Sequence, residues 1–150
     1  MIIFLLIGAL VFSNFINECG LGEALTTWIK QVAVSPTVLL LLIVAIYIVL
    51  GAVLESLSML LLTVPLFFPV VSAVGVDPVW FGILVVVVIE ISLITPPVGM
   101  NLFVLNAILP DIEARAIFAG VMPFVVADIV RLAIILFVPG IALLLPSLMG

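Results

Sequence analysis

VWFGILVVVVIEISLITPPVGMNLFVLNAIL, running from Val79 to Leu109, is the stretch that decides the architecture. Its 31 residues are almost wholly apolar, whereas one helix needs only about 20 to cross a bilayer. Thr95-Pro96-Pro97-Val98-Gly99 breaks it near the middle. Two consecutive prolines remove two amide donors and crowd the preceding turn, so no regular helix continues through them. Carbonyls before the break and amides after it lose their intrahelical partners. Lipid cannot replace those partners; protein or a water-filled cavity must. The bare carbonyl end suits a dehydrated cation and the amide end an anion such as a carboxylate. With Asn101 just beyond, the block reads as an ion or substrate site rather than a simple kink. Glu90, also inside the apolar run, is expected to face a cavity, to accept from a helix, or to pair with a basic residue.

Composition agrees with a membrane setting. Hydrophobic residues make up 68% of the 150 positions and charged residues 7%, against about a quarter charged in a soluble domain. Mean hydropathy is +1.74, and no alternating strand pattern appears, so the expected class is all-α and polytopic. Three basic residues, Lys30, Arg115 and Arg131, exclude a nucleic-acid surface and leave membrane orientation undetermined. One cysteine and no histidine argue against a disulfide or a zinc site. Cys19 reads as a buried or interfacial thiol. No nucleophile–base pair or phosphate loop supports an enzyme.

Outward from the decisive stretch, residues 2–17 read as a membrane span. Met1 to Phe15 lacks the basic start of a secretory signal; it begins inside apolar sequence, so Met1 is not expected to be the natural start of the functional unit. Gly20 to Val34 has helical spacing and fits a short interfacial helix, with Trp28 at headgroup depth and Lys30 reaching water. The apolar run Thr37 to Val74 is 38 residues long, too long for one span, with Gly51, Glu55, Ser56 and Ser58 near its middle. A re-entrant hairpin (36–54 and 57–74) places these polar groups at its tip. Gly75-Val76-Asp77-Pro78 is a turn, followed by a broken helix (79–94 and 98–109). Asp111 is placed to cap the next helix. A final span, 121–145, carries Asp128 and Arg131 at i, i+3, the spacing of an ion pair.

Glu55-Ser56-Leu57-Ser58-Met59, Leu62-Thr63-Val64-Pro65, Phe68-Pro69-Val70 and Gly75 to Ile83 resemble the DctM family, the large membrane subunit of TRAP transporters. The resemblance is strongest from Glu90 to Val104, and it extends through Pro110-Asp111, Pro123-Phe124 and Asp128 to Leu132. It implies a chain built as one inverted repeat, the C-terminal one, of an elevator-type transporter, lacking the N-terminal repeat. It implies sodium as the coupling ion and no other cofactor. The partners implied are lipid, a small membrane subunit and a periplasmic binding protein delivering an organic acid, all at the bacterial inner membrane. Main-chain oxygens of Gly51, Leu54, Ser92 and Val98, with the Thr95 hydroxyl, would hold sodium. Glu55, Ser56, Pro96, Pro97, Gly99 and Asn101 would bind substrate or gate the site. Two departures stand out: Glu55 where the family often has Asp, and Ser92 where it often has Gly. The rival expectations are a transport-incompetent structural subunit and an ion-coupled carboxylate carrier that needs no binding protein.

Overall fold

A computed structural model describes residues 2–51, 53–95 and 100–149. Among them the chain is all helical, with eight helices and no strand. The first two are α1 (Ile2–Glu18) and α2 (Leu21–Val32). Gly20, at φ 65°, turns the chain between them, and their axes differ by 54°. Cys19 lies in this turn with its thiol exposed rather than buried. α2 presents Ile29 inward and leaves Trp28 60% exposed. It closes with Val34 N–H donating to the Ile29 carbonyl and Ala33 N–H to that of Lys30, a six-to-one closure that needs a left-handed residue. Ala33 takes that conformation at φ 52°.

The hairpin consists of α3 (Pro36–Gly51) and α4 (Ser56–Ala73). α3 stops at Gly51 because the amides of Val53 and Leu54 both donate to the Leu50 carbonyl, which tightens the last turn. α4 runs through Pro65 and Pro69 without a break, showing that single prolines here leave the helix intact. Gly75, at φ 81°, ends it with a second six-to-one closure, Val76 N–H to the Val71 carbonyl and Gly75 N–H to that of Ser72. Asp77 then caps α5 (Pro78–Ile94), accepting from the amides of Val79 at 2.8 Å and Trp80 at 3.1 Å.

After α5 come α6 (Met100–Ile108), α7 (Ala114–Phe137) and α8 (Pro139–Met149). Two expectations are corrected here. The cap position of α7 is Glu113, not Asp111, and Glu113 makes no side-chain capping bond. The span expected over 121–145 is split, with α7 ending at Phe137. Pro139 pushes the preceding residue out of the helical region, and Val138 sits at φ −126°, ψ 70°.

α5 is the axis of the packing, lying against α3, α4, α6, α7 and α8. Leu40, Ile43 and Tyr47 of α3 meet Phe81, Leu84 and Val88 of α5 in the buried core. The outer surface is apolar: Phe4 is 82% and Phe124 68% exposed. Only lipid or more protein suits a surface of that kind. α4 and α7 are long and apolar enough to cross a membrane, and the bent α1–α2 pair passes the same test when taken together. The protein is membrane-embedded.

Candidate functional site

The end of α3 and the end of α5 meet at Gly51 and Ser92. A Cβ on Gly51 would lie 2.3 Å from the Ser92 Cβ and 2.6 Å from its Oγ, so only glycine allows this approach. Ser92 is buried; its hydroxyl donates to the Val88 carbonyl at 2.7 Å and stands 3.4 Å from the Tyr47 carbonyl of α3. Two helix C-termini therefore converge within the same packed layer. Each carries roughly half a negative charge from its unpaired carbonyls, so the locus is electrostatically suited to a cation.

A second buried bond braces the hairpin from within. Thr63 lies 2.6 Å from the Met59 carbonyl and 2.5 Å from the Tyr47 phenol. A threonine hydroxyl has one proton. It goes to the carbonyl, which can only accept, and the phenol then donates to Thr63. Tyr47 thus links both arms of the hairpin to α5: its hydroxyl reaches α4, and its carbonyl faces Ser92. Neither Tyr47 nor Thr63 stood out in the sequence as a site residue. The available signal was the chain's single tyrosine, polar at its tip, in the middle of an apolar run.

Glu55 forms the N-cap of α4, exposed at the hairpin tip. Its carboxylate accepts from the amides of Leu57 at 3.0 Å and Ser58 at 3.1 Å, and from the hydroxyls of Ser58 and Ser56 at 3.1 Å and 3.3 Å. The protein's own carboxylate thus occupies the first amides of α4. Any incoming anion at this helix end would compete with Glu55. Leu54 sits half-buried in the turn. Thr95 ends α5 in extended conformation, its hydroxyl donating to the Ile91 carbonyl at 2.6 Å; the oxygen keeps lone pairs for another partner. Asn101 is exposed on the first turn of α6. Pro96, Pro97, Val98 and Gly99 lie outside the described residues.

A separate polar cluster joins α5 to α7. Arg131 donates to Glu90 at 2.8 Å and lies 3.1 Å from Asp128. Of the alternatives open for Glu90, pairing with a basic residue is the one present, and the Asp128–Arg131 pair is present as well. Among the described residues no group of three or more carboxylate, thiol or imidazole side chains is placed to hold a metal ion.

The sequence that builds the hairpin and α5 is similar to that of known proteins. Residues 1–141 match the family model for the tripartite ATP-independent periplasmic transporter, DctM component. The chain belongs to the DctM family. It is 31% identical over its whole length to the C4-dicarboxylate TRAP transporter large permease protein of Pseudomonas aeruginosa, covering 35% of that protein. It is 38% identical over 144 residues to the sialic acid TRAP transporter large permease protein of Vibrio cholerae, covering 96% of this chain and 34% of that one. An isethionate TRAP transporter permease protein of Oleidesulfovibrio alaskensis is 33% identical over 94% of the chain and 22% of its own length. The chain spans about a third of the length of the first two relatives.

Proposed function

We propose that this DctM-family chain supplies one inverted repeat, the C-terminal one by its Thr95-to-Gly99 block, of a sodium-coupled TRAP permease in the bacterial inner membrane. The carrying observation is the convergence of α3 and α5 at Gly51 and Ser92. Two helix C-termini held together inside a lipid-embedded layer offer main-chain oxygens to a cation stripped of water. Gly51, Leu54, Ser92 and Thr95, with Val98, form the sodium set. Because α3, α4 and α5 share one hydrogen-bonded core, the hairpin and α5 travel as a unit, in keeping with an elevator movement. The transported molecule is an organic acid, since C4-dicarboxylates, sialic acid and isethionate name the relatives' systems.

The test is uptake into proteoliposomes. The chain is reconstituted with the remaining permease sequence, a small TRAP membrane subunit and a periplasmic binding protein. An inward sodium gradient is expected to drive accumulation of an organic acid, and an equal potassium gradient to drive none. Equal uptake under the two gradients would overturn sodium coupling. No uptake under either would favour a structural subunit, and uptake without the binding protein an independent carboxylate carrier.

A further inference from the structure

From Phe81 to Ser92, α5 is exposed at only Gly82, Val86 and Glu90, one residue per turn. A Cβ on Gly82 would meet open space, and Val86 is 50% exposed. The most enclosed helix among the described residues therefore shows one narrow seam, shallow at Gly82 and Val86, ending in a carboxylate. That carboxylate is 56% exposed, and Arg131 beside it 44%. Arg131 is shared with Asp128, so one guanidinium faces two carboxylates and the cluster keeps a formal charge of −1. Glu90 lies about 20 Å along the helix from the Asp77 cap, well into a hydrocarbon layer about 30 Å thick. Acyl chains cannot solvate an open ion network there. A second copy of this chain would bring the same surplus negative charge and be repelled. What satisfies the seam is a helix that lies close along the small residues and brings positive charge to Glu90.

We propose that the Gly82–Val86–Glu90 seam, with Arg131 and Asp128 at its end, is the docking surface for a membrane-spanning helix carrying one lysine or arginine at mid-depth. About two thirds of the length of the relatives lies outside the matched region, and that remainder is the source of the helix. The assignment rests on family membership and on this cluster, not on sodium coupling.

The probe is a synthetic Leu-Ala transmembrane peptide bearing a single central arginine, with an all-apolar peptide as control. The chain, labelled at the exposed Cys19, is placed in lipid nanodiscs, and association is read by energy transfer. The arginine peptide is expected to bind roughly tenfold tighter than the control, and Glu90→Gln to erase that difference. Glu90→Lys should instead select a peptide with a central glutamate. Gly82→Leu should weaken both peptides. Far-UV circular dichroism checks that each variant remains helical. Equal binding of the two peptides to the unaltered chain, or an arginine preference that survives Glu90→Gln, would overturn the proposal. Self-association through the seam that excludes both peptides would do the same.

Discussion

Glu90 and Ser92 are two residues apart on α5, yet they belong to opposite kinds of contact. At 100° per residue they point about 160° apart. Ser92 faces α3, where it is sealed against Gly51 with its hydroxyl turned back on its own helix. Glu90 faces outward beside α7, in an ion network half open to its surroundings. The first contact works by shape: a missing side chain lets two backbones approach. The second works by charge that is only partly compensated. A shape-limited contact tolerates no added atom, while a charge-limited one tolerates substitution as long as the balance is kept.

Substitutions sharpen that contrast, measured as unfolding free energy in mixed micelles. Gly51→Val should have the largest effect, about 3 kcal/mol, because the new side chain overlaps Ser92 in a filled core. Gly51→Ala should lose less, and combining it with Ser92→Gly should restore most of the loss, since the two obstructing atoms belong to Ser92. If the pair shows no such recovery, the close approach is not what holds α3 to α5. Arg131→Leu should cost about 2 kcal/mol by leaving two carboxylates without their cation, less than a fully buried pair would lose because the cluster is half exposed. Adding Glu90→Gln and Asp128→Asn should recover much of it, as expected where net charge rather than fit is limiting. Tyr47→Phe should cost about 1 kcal/mol, the scale of one hydrogen bond, because Thr63 keeps its bond to the Met59 carbonyl. Gly82→Ala should be the mildest. Its Cβ enters open space, so helix propensity should yield a gain of about 0.5–1 kcal/mol. A loss there as large as at Gly51 would erase the distinction between the two faces.

The legible part of the fold was the part dictated by composition and backbone chemistry. Apolar length named the solvent, and Gly75, Asp77 and Pro78 marked a turn that the structure closes with those residues. The Glu55–Ser58 cluster interrupted an apolar run where a helix now begins. Other features were hidden for physical reasons. Pro65, Pro69 and Pro123 look like breaks as much as Pro139 does, but only Pro139 begins a new helix; the others lie inside α4 and α7. The Glu90–Arg131 pair spans 41 positions, and no local pattern links residues that far apart. Tyr47 and Thr63 sit on different arms of the hairpin, and their bond exists only once those arms pair.

The sequence by itself determined the solvent, the helical class, the interruption at Gly51–Ser58 and the Thr-Pro-Pro block, because hydropathy and the loss of amide donors act locally. Tertiary structure alone decided that Gly51 would rest on Ser92, that Tyr47 would brace the hairpin, and that Glu90 would turn away toward Arg131. Those outcomes depend on the rotation and depth at which helices pack, and that is set by the fit of many side chains at once.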